Sequence, residues 1–115
     1  MKYLSRPAPW YPHRGEVYLV RLDKDRPALI LSVNELNRYA LDVCVVPFTT
    51  VQHKAFSMRV PIAAGDGGLR RNCWAKCDQV TTLEKSFLRA PALGTLSAPA
   101  FQEIQDQVRI ALGLL

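Results

Sequence analysis

Between Glu16 and Thr81 the chain runs through five short apolar stretches broken by turn-forming residues, and after Ser97 the spacing of its apolar residues lengthens to that of a helix. Strands this short bury one row of side chains apiece and become stable only by pairing. The pattern therefore confines the chain to a small sheet or barrel with helical appendages, mostly β with some α. In the first stretch, Glu16–Leu22, the residues Val17, Leu19 and Arg21 alternate with Tyr18, Val20 and Leu22. Asp23–Asp25 is a short polar turn and Pro27–Val33 a second apolar run, so the two predict a hairpin. Asn34–Ala40 reads as a polar loop. Leu41–Pro47 is nearly continuous in apolar residues, as expected of a central strand buried on both faces.

Phe56–Ala63 and Cys73–Thr81 supply the fourth and fifth predicted strands. Between them, Gly65-Asp66-Gly67-Gly68 reads as a turn whose glycines accept positive φ. A phosphate-cradling glycine loop would continue into Gly-Lys-Ser/Thr, and Arg70-Arg71-Asn72 is not that. A shorter helix is predicted near Thr82–Leu88, with Thr81 or Thr82 as its cap. In the tail, Ser97 suits an N-cap and Pro99 the first turn, while Phe101, Ile104, Val108, Ala111 and Leu112 recur at helical spacing. This amphipathic helix is expected to pack on the barrel or on a second subunit. Residues 1–13, rich in proline and aromatic side chains, read as an extended arm, and residues 14–115 are expected to form one domain.

Charge narrows the partner. The chain carries a formal net charge of +5, and ten of its fifteen basic residues are arginine, whose planar fork of donors matches phosphate. A basic balance on a small domain points toward a polyanion. Three cysteines, an odd count, argue against a secreted disulfide framework. Cys73 and Cys77 are four apart with no second ligand pair at zinc-finger spacing, so buried reduced thiols are expected and no metal or cofactor is. No apolar run approaches the ~18 residues of a membrane span. Pro7, Pro9 and Pro12 stand where a signal peptide would have its apolar core, so a cytoplasmic protein is expected.

Cutting RNA without a metal asks little of a protein, because the 2′-hydroxyl beside the scissile phosphate is the nucleophile. The protein must hold the phosphate, stabilise the charge growing on its oxygens, and help protons move. One arginine and a hydroxyl at the mouth of a rigid barrel meet the first two needs. Arg26 opens the second strand and Thr49-Thr50 follow the third. The competing structural role for Arg26 is an ion pair with Asp23 or Asp25 at the hairpin, and for Thr49 a β-branched strand end.

Arg14-Gly15-Glu16-Val17-Tyr18, Arg26-Pro27-Ala28-Leu29-Ile30-Leu31-Ser32, Val45-Val46-Pro47-Phe48-Thr49-Thr50 and Asp78-Gln79-Val80 occur in the order and spacing of MazF/PemK toxins. The chain resembles that family over about residues 14–112. The resemblance implies an SH3-like small β-barrel with a C-terminal amphipathic helix, shared by the PemK and CcdB toxins. It further implies a homodimer that cleaves single-stranded RNA at short sequences, giving 2′,3′-cyclic phosphate and 5′-hydroxyl ends, and a cognate MazE-like antitoxin. The family's catalytic arginine and threonine map to Arg26 and Thr49. RNA contacts are expected at Arg14, Lys24, Thr50, Gln52, His53, Lys54, Asp78 and Gln79. In place of the long loop many members carry between their first two strands, this chain has only Asp23-Lys24-Asp25, like a short-loop subgroup.

An arginine is a poor proton acceptor at neutral pH, so Arg26 is expected to clamp phosphate and stabilise the transition state. His53 has three candidate roles: proton transfer, phosphate contact, or a plain surface site. Lys54, Arg70, Arg71 and Lys76 could line a backbone groove, and Trp10, Tyr11 and Tyr39 could stack unpaired bases, Trp74 being assigned to the core. Two rival functions remain: a CcdB-type gyrase poison on the same barrel, and an RNA-binding barrel that leaves RNA intact.

Overall fold

The computed structural model describes residues 10–21, 23–52 and 58–114. Seven strands run in chain order as β1 (Glu16–Arg21), β2 (Asp25–Ile30), β3 (Asp42–Thr49), β4 (Arg59–Ile62), β5 (Cys73–Lys76), β6 (Thr81–Glu84) and β7 (Leu88–Thr95). Helix α1 (Asn34–Tyr39) links β2 to β3, and α2 (Ala98–Leu112) follows β7. The sheet runs β4-β5-β3-β2-β1-β7, with β6 added beside the first half of β3. All its pairings are antiparallel. β3 pairs with β6 along its first half and with β5 at its end, so the sheet bends around two cores, and among the described residues no ladder joins β4 to β7 to close it into a full barrel.

The bend explains why β1, β2 and β3 are apolar at successive positions rather than at alternate ones. Val17, Leu29, Val46 and Phe48 face one core, which is covered by β4, β5 and the inner face of α2 through Ile104 and Val108. Tyr18, Val20, Ala28, Ile30, Val43 and Val45 face a second core, closed by Leu83 of β6 and Leu88 of β7. Burial on both faces was expected for β3 alone, and it holds for β1 and β2 as well.

Other expectations need correction. Asn34–Ala40 is not a loop but mostly α1, held by the fully buried Asn37, whose amide donates to the Ser32 carbonyl at 2.9 Å. Lys85 caps its C-terminus, the ammonium donating to the Asn37 carbonyl at 2.8 Å. The predicted strand Cys73–Thr81 is two strands split by a turn at residues 77–80. Thr82–Leu88, expected as a helix, is the end of β6 and a single 3₁₀ turn, because residues 81–84 pair with β3. β7 was not anticipated. The fourth strand begins at Arg59, and Phe56 and Ser57, included in its predicted range, lie outside the described residues.

α2 begins where expected, with Ser97 in the N-cap position and Pro99 in the first turn. The Ser97 hydroxyl does not cap the helix, however. It donates to Asp66 Oδ2 at 2.7 Å while the Ser97 amide donates to Oδ1 at 2.8 Å, tying the helix start to the Gly65–Gly68 turn. That turn is pressed against β7. Gly68 has φ +75°, and a Cβ added there would overlap the Leu93 carbonyl. A Cβ on Gly94 would lie 2.8 Å from the Gly67 carbonyl carbon. Only glycine permits this approach.

Cys73 and Cys77 are buried reduced thiols, and Cys44 is half-buried. Burial pushes the Cys77 thiol up to about 11 and raises that of Cys73 as well. Both therefore stay protonated and shielded near neutrality. An aromatic disulfide reagent at pH 8 should titrate one thiol in the native protein and three after denaturation. Rapid reaction of two in the native state would contradict this packing.

Candidate active site

β2 starts and β3 ends on the same rim of the sheet. The register pairs Ala28 with Pro47, and carried two residues further it sets Arg26 opposite Thr49. A pocket of about 160 Å³ opens there, lined by Lys24, Arg26, Pro27, Phe48, Thr49 and Thr50. The two residues singled out for chemistry therefore meet.

Arg26 Nε lies 3.4 Å from Asp23 Oδ1, so the hairpin ion pair also exists. The guanidinium holds the Asp23 carboxyl below its usual range. Because Asp23 is solvent-exposed the pair is screened, and an incoming phosphate can compete for the arginine. The Thr49 hydroxyl oxygen accepts from the Val51 amide at 3.1 Å. This fixes its rotamer and leaves its proton for an anion in the pocket.

The cationic character extends along the rim. Lys76 pairs with Arg59 across the β4–β5 ladder. Burial lowers the pKa of its ammonium, and the Arg59 and Arg26 charges lower it further, against the opposing pull of Asp78 and Asp23. Arg59 and Arg26 are thus both close enough to repel Lys76, and a bound phosphodiester would relieve that repulsion. Arg59 was not singled out from the sequence. Its only signal is the β4–β5 register, which periodicity does not reveal.

The remaining expected contacts divide by location. Lys24 lines the small pocket, and Thr50 lines both it and a larger cleft beside it. Gln52 is exposed just past β3. Asp78 and Gln79 form the turn after β5, where the Gln79 amide donates to the Lys76 carbonyl at 3.0 Å. His53 and Lys54 lie outside the described residues. Arg14 is not brought to this rim. It precedes β1, at the opposite end of a strand roughly 20 Å long. There its guanidinium donates to the Leu31 carbonyl and to Gln105 Oε1 at 2.6 Å, and it stacks 4.8 Å from the Phe101 ring centroid, fastening α2 to the barrel. Trp10, Tyr11 and Tyr39 also gather at that far end, around Tyr18, His13 and Arg38.

A bent antiparallel sheet with a cationic rim, a positioned hydroxyl and a C-terminal helix defines a small barrel-type protein equipped to hold a phosphodiester. The profile of the PemK-like, MazF-like toxins of type II toxin–antitoxin systems matches residues 13–112. Endoribonuclease MazF9 of Mycobacterium tuberculosis is 27% identical over 114 residues, spanning 88% of this chain and 96% of that protein. A solved mycobacterial endoribonuclease in complex with its cognate antitoxin is 31% identical with a TM-score of 0.79, covering 90% of this chain and 97% of that one. The M. tuberculosis toxin MazF-mt6 is 27% identical with a TM-score of 0.77, over 87% and 98% of the two chains. This chain belongs to the PemK-like, MazF-like toxin family. The match favours a nuclease over the CcdB-type gyrase poison.

Proposed function

We propose that this protein is an endoribonuclease toxin that cuts single-stranded RNA in the Arg26–Thr49 pocket, acts in the cytoplasm, and is silenced by a MazE-like antitoxin. The observation that carries the reading is the meeting of Arg26 and Thr49 in one pocket, with Lys76 and Arg59 beside it. The 2′-oxygen attacks the adjacent phosphorus and loses its proton. The bond from phosphorus to the 5′-oxygen breaks, and that oxygen gains a proton, leaving a 2′,3′-cyclic phosphate and a 5′-hydroxyl. Arg26 clamps the phosphate and stabilises the charge added in the transition state, and Thr49 donates to a non-bridging oxygen. For His53 the sequence leaves three roles open: proton transfer, phosphate contact or a plain surface site. The antitoxin-bound mycobacterial relative supports a protein inhibitor of that kind. Purified protein should cleave RNA equally well in EDTA, with fragments that a kinase labels at the 5′ end without prior dephosphorylation. Activity lost in EDTA and restored by magnesium would overturn the mechanism.

The protein acts as a homodimer. Ile104 and Val108 of the α2 stripe are spent on the chain's own core. Farther along, Ile110, Leu112 and Leu114 stand 60%, 49% and 58% exposed, apolar surface suited to a second copy. Sedimentation at micromolar concentration should give twice the 12.9 kDa chain mass, unchanged in high salt. A single species at the chain mass would refute the dimer.

A further inference from the structure

Beside the catalytic pocket lies a second, larger cleft of about 460 Å³, within the ~300–1,000 Å³ of small-ligand sites. It shares Asp25, Pro27, Thr50 and Cys73 with the smaller pocket, so the two are one continuous groove. Its walls are Leu19 from β1, Leu69 from the glycine turn and Leu93 from β7, and Arg70 and Arg71 stand on its lip. The walls are rigid, because the turn carrying Leu69 is held against β7 by the close approach at Gly68 and Gly94. At one edge the Asp25 carboxylate forms a half-exposed ion pair with Arg89, Oδ2 lying 2.9 Å from Nε.

We propose that this cleft is a nucleobase pocket: it seats the base adjoining the scissile phosphate, while Arg70 and Arg71 hold the next phosphate along the strand. The proposal rests on the nuclease reading of the Arg26–Thr49 pocket. A flat apolar ring with a polar edge suits leucine walls beside the Asp25 carboxylate, which can accept an N–H from the base edge. Two exposed arginines at the lip match the chain of anions to which that base is attached, and an electrically neutral ligand would leave them unused. The residues of this cleft therefore set the preferred base beside the cut, and Arg26 and Thr49 set the chemistry.

The test compares wild type with Leu93→Trp, which fills the cleft from a residue 38% exposed on β7, and with the double variant Arg70→Ala/Arg71→Ala. Each protein digests a random-sequence RNA pool, and the fragment ends are sequenced. Leu93→Trp should flatten or change the base preference at one position flanking the cut. The double arginine variant should raise KM roughly tenfold or more, as loss of charged hydrogen bonds would. An unchanged end profile for folded Leu93→Trp overturns the proposal, and so does an unchanged profile joined to lost antitoxin binding, which would assign the cleft to the protein partner. If Leu93→Trp does not fold, an unchanged KM in the arginine variant overturns it instead. Should wild type leave the pool intact, the nuclease reading itself fails. The cleft is then judged by amide NMR shifts with the four nucleoside 3′-monophosphates, where shifts at Leu69 and Leu93 uphold it and their absence discards it.

Discussion

Arg26→Ala should fold like wild type and cleave RNA about 100-fold more slowly or worse. The side chain lies on the rim, 31% exposed, and its one ion pair is with an exposed aspartate, so its removal leaves both cores intact. Its contribution belongs to the transition state, where phosphate oxygens gain charge beside a fixed guanidinium, and losing one such contact costs on the order of 10²–10³ in rate. Arg26→Lys should fall between the two, because a point charge replaces a planar fork. Since the interaction strengthens only as charge develops, kcat should drop more than KM rises. A folded Arg26→Ala protein cutting at near wild-type rate would sink the assignment of the site.

A substrate carrying 2′-deoxyribose at the scissile nucleotide should not be cut at all. The Arg26–Thr49 pocket offers a guanidinium and a hydroxyl already held by the Val51 amide, which suit anion binding rather than attack on phosphorus. The nucleophile must then come with the RNA, and removing it removes the reaction. Binding should survive, because the cationic rim of Arg26, Arg59 and Lys76 meets phosphate rather than ribose. The deoxy substrate should therefore be a competitive inhibitor with an affinity close to that of RNA. Cleavage of it at the same bond would show that another nucleophile is at work.

Much of this arrangement could be read in the residues, and what escaped did so for identifiable reasons. β1, β2 and β3 announce themselves by alternation or unbroken apolar runs, and α2 by its helical spacing. α1 is only six residues long, polar, and without a side-chain cap, so its sequence carries no helical signal. What holds it is tertiary: the buried amide of Asn37 and the reach of Lys85 from the far side of β6. β7 contains Pro91 and Gly94 and leaves most of its side chains exposed, as an edge strand can, and those features count against a strand in any reading by pattern. The site shows the same division. That Arg26 and Thr49 would converge on one pocket was legible because each stands at the end of a recognisable strand. Arg59 was not, and Arg14, a basic residue in a family motif, lies away from this pocket, fastening a helix at the opposite end of the barrel.

The pairing of Glu16 with Thr95 joins the first strand of the sheet to its last. Closing so long a stretch of chain loses entropy before any contact rewards it, and topologies of this kind fold in milliseconds to seconds rather than microseconds. Until β7 arrives, Leu88 cannot cover the second core and the Leu93 wall is missing from the cleft beside the catalytic pocket. A newly made chain thus passes through an interval in which its strand edges are open and the cleft beside the Arg26–Thr49 pocket lacks one wall. The Arg26–Thr49 pocket draws its lining from the β1–β2 turn, β2, the end of β3 and Cys73, so it needs only the middle of the sheet, whereas the cleft beside it waits for the two ends of the sheet to find each other.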